Sequence, residues 1–468
     1  MSYKDSMVAI KQVYFLFLSL VLLIFISVTS LNFILKHHSL KTLAASQNAR
    51  DPFLQPFARD SIWNLPISNT AELAPAGLLG VAEGFGNDEE IILKATVNDP
   101  LVDVYDINVG GDWDQRCLAN EKIGQLHFPT NKTYQDPAGS GDTPNYSGAI
   151  LQPDGKLYHF NAIATCGNNK IAVYQKNYDE QDRLRNNRLL NGLGIQGGHG
   201  GSNLSGIGGS IRLGELTSSE PIKHALKLNV YANRFLSQQD GGYVWPADNA
   251  DGYYLEGYFG TNPNVKMGSL LTLKESDTLN SLGITNPVVA KFFQAIQDYG
   301  IYITDDTYWD HYDIMAETGV DEEIFAAYGI NFEQDSDSAY GQDMTKLLVA
   351  LQVVTNNSAN TPGGGVFDPN NNNRRASLAS CLPGENSLGC LAPDQNSNDT
   401  NSSNSQDFLN SSSASNTEFS QSTPQNSSRP SPNQPFNSIS IMTVFVLLVL
   451  AVISFFIYKF KNPKVKIK

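Results

Sequence analysis

Apolar and polar residues alternate in short runs through the first two-thirds of the chain. The runs at 91–97, 102–107, 157–164 and 170–175 are strand-like and are separated by Gly, Asn, Asp and Pro breakers. In 222–232, Ile222, Leu226, Leu228 and Val230 fall on one face, and Lys223, Lys227 and Asn229 on the other. That period of two predicts a half-buried strand, and 209–216 and 265–274 read alike. Helical spacing comes later. Asn286 and Pro287 are a cap and a first helical residue, and Val288, Val289, Phe292, Phe293, Ala295 and Ile296 form an apolar stripe that Gly300 ends. A short strand is expected at 301–304, with further helices at 321–328 and 341–354. No fixed-period repeat is present. Many short strands, Gly-containing turns and a few helices predict a mainly β domain: a two-sheet sandwich or jelly roll with inserted helices.

Two longer apolar runs stand outside this pattern. The run at 13–35 has no internal charge and is long enough to cross a bilayer. It follows Lys4 and Lys11 and reads as an uncleaved signal anchor, with a removable signal peptide as the alternative. The run at 439–458 precedes Lys459, Lys461, Lys464, Lys466 and Lys468, the pattern of a cytoplasmic flank. The expected order is a cytoplasmic start at 1–12, a span at 13–35 and a stem at 36–52. A β-rich extracytoplasmic domain follows at 53–360, then a Gly/Asn-rich loop at 361–391. An Asn/Ser-rich stalk at 392–438, a second span at 439–458 and a basic tail at 459–468 complete it. The stalk has few large apolar groups and cannot offset the entropy cost of ordering. The expected location is the cell membrane, with the main domain outside and both ends inside.

The formal net charge of the 468-residue chain is −15, and the part outside the basic tail is more acidic still. A nucleic-acid binder needs a basic face, so no nucleic-acid partner is expected. Cys117, Cys166, Cys381 and Cys390 all lie between the two apolar runs, and none forms a metal-type CxxC. Four cysteines in an exported segment allow three connectivities. The expected pairs are Cys117 with Cys166 and Cys381 with Cys390, against four reduced thiols.

Three segments carry candidate chemistry. In Gly192 to Leu216 nine glycines between 192 and 209 surround His199 and lead to Arg212 and Glu215. Glycines permit sharp turns and close approach to a ligand, so His199 is a candidate cleft residue. The alternative is a tightly packed sheet corner. The segment has no Gly-Lys-Ser/Thr ending and is not a phosphate loop. Arg212 and Glu215 face opposite ways on a regular strand, unless Gly214 makes a bulge. His224 reads as a core histidine. The second segment, Asp305-Asp-Thr-Tyr-Trp-Asp-His-Tyr-Asp313, combines acids and aromatics where a strand opens into a loop. Carboxylates there suit calcium or acid/base work, and Tyr308 and Trp309 suit stacking on sugar rings. The third, Tyr243 to Tyr254, repeats the mixture with Trp245, Asp248 and Asp251. The bland alternative for both is aromatic packing beside solvated acids.

Asp60-Ser-Ile-Trp-Asn-Leu-Pro-Ile67, the Gly-His-Gly-Gly-Ser to Ile-Arg-Leu-Gly-Glu-Leu stretch with Ile222-Lys-His-Ala-Leu-Lys227, and Ala295-Ile-Gln-Asp-Tyr-Gly-Ile-Tyr-Ile-Thr-Asp-Asp306 together resemble a broad group of secreted bacterial and fungal proteins linked to polysaccharide-active jelly-roll enzymes. The resemblance covers residues 57–330 and implies a polysaccharide or cell-surface glycan as partner. It carries over no catalytic residue.

Two functions from different classes follow. One is an anchored carbohydrate-active enzyme. A glycosidase needs paired carboxylates, drawn from Glu215, Asp251, Asp305 and Asp306. A lyase needs a base and a cation, for which His199 and Arg212 are the candidates, although an acidic domain is an awkward host for an acidic polymer. The other is a non-catalytic surface adhesin or structural envelope protein displayed on the stalk.

Overall fold

A computed structural model describes residues 50–390, except 130, 140–144, 168, 175–187, 190–191, 371–372, 383–384, 386 and 388. The expected spans at 13–35 and 439–458 and the stalk at 392–438 lie outside the described residues. Among the described residues no helix is long and apolar enough to cross a membrane.

The strands, in chain order, are β1 (Leu73–Pro75), β2 (Phe85–Lys94), β3 (Leu101–Asp106), β4 (Glu121–His127), β5 (Gly148–Leu151), β6 (Lys156–Phe160), β7 (Ala162–Thr165) and β8 (Lys170–Tyr174). They continue as β9 (Arg188–Leu189), β10 (Gln196–His199), β11 (Leu226–Val230), β12 (Leu270–Thr272), β13 (Ile301–Asp306), β14 (Tyr312–Glu317) and β15 (Gln352–Val354). The domain is mainly β, with two sheets and few helices. A ten-stranded sheet runs β1-β15-β12-β13-β11-β14-β2-β5-β6-β9, and a four-stranded sheet runs β4-β3-β8-β7. Four pairings are parallel: β11 with β13, β14 with β2, β2 with β5, and β3 with β8. The strand order is therefore not the all-antiparallel one of a jelly roll.

One face of the large sheet carries two coverings. Ile91, Leu93 and Ile150 pack with Val102, Val104, Ile163, Ile171 and Val173 of the small sheet. Leu228, Ile314 and Ala316 pack with the helices. These are α1 (Pro287–Asp298), α2 (Val320–Tyr328) and α3 (Ala339–Val349). In α1 the Asn286 side chain accepts from the amides of Val288 and Val289 at 3.0 and 3.3 Å, and the expected apolar stripe is buried. Each Val, Phe or Ile side chain of that stripe contributes about 1.5–3 kcal/mol on burial. Helix α3 stops at Val349 and β15 follows, so the helix expected over 341–354 is shorter: Leu351, Val353 and Val354 are used as core around a sheet edge.

The opposite face was expected to be solvated, and it is not. Lys227 and Asn229 are buried with Glu90 under the glycine-rich segment, where Trp63, Leu204 and Ile207 add a further apolar cluster. The expected strand at 209–216 is a turn, tied to the sheet by a single bridge from Ile211 to Ala316. Both expected disulfides are present, Cys117–Cys166 and Cys381–Cys390.

Candidate functional site

The register across the large sheet brings polar residues into one row. Asn229 on β11 pairs with Asp305 on β13 and with Asp313 on β14, and Asp313 pairs with Gly86 on β2. Here β11 and β13 end while β14 and β2 begin, so the row lies along one end of the sheet. Asp88 and Glu90 follow Gly86 on the same face of β2 by strand alternation.

A cleft of about 980 Å³ opens over this row. Seven carboxylates line it: Asp88, Glu89, Asp251, Asp305, Asp306, Asp313 and Glu333. Trp113, Tyr146, Tyr253, Tyr308 and Trp309 supply aromatic walls. No lysine or arginine is among the described lining residues. Tyr308 and Trp309 stand at the rim, 76% and 50% exposed, which leaves their rings free to meet a ligand. Tyr308 does so from a left-handed backbone, φ 66°, a conformation uncommon for a bulky side chain.

Hydrogen bonds fix the carboxylates individually. Asp305 Oδ1 accepts from the amides of Gly201 at 2.7 Å and Asp306 at 3.0 Å. Asp306 accepts from the Ala232 amide at 2.7 Å and from the Tyr253 hydroxyl at 2.8 Å. The Tyr258 hydroxyl donates to Asp251 at 2.7 Å. Asn145 donates to Asp88 at 2.9 Å, and Asn229, held by the Thr304 hydroxyl at 3.0 Å, lies 3.4 Å from the same oxygen. His311 Nε2 is 2.9 Å from Asp313 Oδ1.

Two glycines are required by close approach. A Cβ on Gly86 would meet Asp313, His311 and Glu333 side-chain atoms at 2.7, 2.7 and 2.9 Å. A Cβ on Gly200, whose φ is +40°, would overlap the Asp305 carboxylate.

These surroundings shift protonation. Burial, then the neighbouring Asp313 charge, pushes the Asp88 carboxyl up to about 7 against the opposing Asn145 hydrogen bond. Burial and Asp313 also raise Glu333. For His311 burial opposes the charged ring, but its hydrogen bond to Asp313 and that carboxylate's charge outweigh it, and the pKa is raised.

Under the cleft floor lies a buried polar network. Lys227 and Glu90 are fully buried and ion-paired, and Ser210 donates to the same carboxylate. His199 is also fully buried, with Nδ1 3.0 Å from the Ser147 hydroxyl and 3.7 Å from Glu90.

Of the residues expected to act, Asp251, Asp305, Asp306, Tyr308 and Trp309 do meet in the cleft. His199 lies beneath the floor, not in it. Arg212 and Glu215 are elsewhere: Arg212 Nε donates to Glu317 at 2.8 Å, and Glu215 accepts from the Arg212 amide at 2.7 Å and sits 3.1 Å from His224 Nε2. The physical reason is the turn at 212–215, which folds both side chains onto His224 and β14 rather than across a strand. Trp245 packs against the Trp63 cluster and lines a separate cavity of about 120 Å³. Calcium was one expectation for the acids. Among the described residues no three His, Cys, Asp or Glu side chains are grouped to hold a metal ion.

Sequence reasoning missed Asp88, Glu89, Glu333, Trp113 and Tyr146, while His311, Asp313 and Tyr253 lie inside the second and third candidate segments without being singled out there. A signal existed for the first: Asp88-Glu-Glu90 runs directly into the apolar Ile91-Ile-Leu93, a carboxylate cluster entering a strand.

No protein-family model, curated protein or solved structure matches the chain.

Proposed function

We propose that this protein is a glycoside hydrolase that cleaves an uncharged or amine-bearing polysaccharide in the acidic cleft. The observation that carries the reading is Asp88, a carboxyl pushed up to about 7 inside a cleft walled by aromatics. Glycoside hydrolysis needs one carboxyl still protonated near neutral pH and a second that is ionised. Asp88 donates its proton to the bridging oxygen as the glycosidic C–O bond breaks. Asp305 takes a proton from the water that adds to the anomeric carbon. Two strands, β11 and β14, separate their strands, roughly 14 Å between backbones at the usual spacing, so hydrolysis requires both side chains to reach inward until the carboxyls are within about 10 Å of each other. Tyr308, Trp309 and Trp113 offer flat apolar surfaces to the C–H faces of the sugar. The acidity of the lining, with no lysine or arginine among its described residues, disfavours an anionic polymer and hence a lyase.

We further propose display outside a membrane, with the apolar runs at 13–35 and 439–458 as anchors. Two disulfides in the described domain suit an oxidising compartment.

The test is a panel of neutral, cationic and anionic polysaccharides incubated with the full-length protein, scored for bound polymer and for new reducing ends. Release from a neutral or cationic member supports the hydrolase. Binding without release makes the domain a lectin-like adhesin, and neither result on any member sinks the carbohydrate reading.

A further inference from the structure

The acidic cleft does not end at its own wall. A second cavity of about 500 Å³ is lined by Asn108, Asp112 and Tyr174, and it shares Trp113, Asn161 and Asp251 with the cleft. Asn161 also orders the boundary, because its Oδ1 accepts from the Gly200 amide at 3.2 Å.

Trp113 is the shared wall, and it is rigidly mounted. Its ring meets Tyr174 edge-on at 5.6 Å, and the Arg116 guanidinium lies 5.1 Å from its centroid. Arg116 is fully buried and donates to the Ile163 carbonyl at 3.1 Å. The next residue, Cys117, is bonded to Cys166 at the end of β7. The small sheet thus supplies the second chamber and its aromatic platform, while the large sheet supplies the carboxylates.

We infer that the two chambers form one groove that holds an extended polysaccharide across the carboxylates, so the protein cuts internal bonds of the polymer and does not trim chain ends. This rests on the proposed hydrolase function and adds the mode of cleavage and the length of substrate. A chain-end enzyme needs a floor that closes behind the reacting sugar. Among the described residues the floor passes Asp251 and Asn161 into further space with an aromatic wall and another acid, Asp112. Those lining groups suit further sugar units of the same uncharged or cationic chain.

The experiment uses the full-length protein and a polysaccharide it is found to cleave, beside a disaccharide of the same linkage. Viscosity and product length are followed together from the first few per cent of reaction. Internal cutting predicts a steep early fall in viscosity and a ladder of oligosaccharides. Trp113→Ala is expected to lower the ratio of polymer to disaccharide kcat/KM at least tenfold, and Trp113→Phe to restore most of it. Asn108→Ala, at an exposed lining residue of the second chamber, should lower the same ratio through KM. Monosaccharide or disaccharide released as the first product overturns the inference, as do equal losses on both substrates for both alanine variants. Those results would leave hydrolysis itself standing. Absence of any cleavage by the wild-type protein sinks the hydrolase reading, and this inference with it.

Discussion

The backbone amide of Gly201 donates to Asp305 Oδ1 at 2.7 Å, which fastens the glycine-rich turn to the floor of the acidic cleft. The neighbouring Gly200 sits at φ +40°, where an added Cβ would overlap the same carboxylate. Gly200→Ala must therefore move Asp305 or the turn. A left-handed non-glycine residue alone costs about 1–2 kcal/mol. The expected outcome is a modest fall in unfolding midpoint and at least a tenfold loss of polysaccharide cleavage, read in denaturant titrations and reducing-end assays. Unchanged cleavage would show that the turn gave way instead, and unchanged cleavage by Asp305→Asn would remove Asp305 from the chemistry.

The raised pKa of Asp88 sets a direction for pH dependence. As proton donor it works only while protonated, so kcat/KM should fall as pH rises through about 7. Asp88→Asn should lower the rate by about 10²–10⁴ and abolish that alkaline limb. A limb that survives in Asp88→Asn belongs to another group.

Stability carries the same signature with a definite sign. Between the ordinary aspartate value of about 3.9 and about 7, the folded state holds the Asp88 proton and the unfolded state does not. That stabilising contribution is complete below the unfolded value and is lost by the time pH reaches the folded one. Asp88→Asn, which cannot ionise, should gain stability relative to wild type as pH rises from 4 to 7. Thermal unfolding at several pH values checks this, and a difference that shrinks with rising pH contradicts it.

The Lys227–Glu90 pair beneath the floor is fully buried on both sides. Burial drives the lysine pKa down and the glutamate pKa up, so neither charge is tolerated alone. Lys227→Met should destabilise by about 3–5 kcal/mol. Adding Glu90→Gln should recover a large share, because the orphaned charge goes. Equal instability of single and double variants would show that the penalty is lost packing, not an uncompensated carboxylate.

Tyr308 holds a strained backbone while its ring is largely exposed. Tyr308→Gly should leave the melting temperature unchanged or raised, since glycine adopts positive φ without steric cost. Polysaccharide affinity should fall several-fold in the same variant. A lower melting temperature with unchanged affinity would assign the ring to packing.

Much of the fold could be read from local patterns, because those elements bury a face along their own length. Helix α1 shows its cap, proline and stripe in consecutive residues, and each disulfide joins neighbours in cysteine order, one of the three connectivities that four cysteines allow. The turn at 209–216 was misread because alternation there reflects glycines interleaved with residues that enter different clusters, not two sheet faces. Lys227 and Asn229 looked solvated for a related reason: what covers them, the 192–208 segment, is distant in sequence. In the site, Asp251, Asp305 and Asp306 were visible because aromatics flank them locally. Asp88, Glu333 and Trp113 were not, since only strand register and the docking of the small sheet bring them to the same cleft. His199 and Arg212 misled for the opposite reason, as unusual residues in a glycine-rich stretch whose constraint is close packing.

The central claim is that this cleft breaks glycosidic bonds with Asp88 as proton donor. The most direct measurement is the release of new reducing ends from a polysaccharide panel at pH 6 by wild-type protein and Asp88→Asn side by side. The account predicts release by the wild type from a neutral or cationic polymer and a loss of two orders of magnitude or more in the variant, with polymer binding retained. Equal release by both proteins would contradict Asp88 as donor, and binding without release by the wild type would contradict the hydrolase itself.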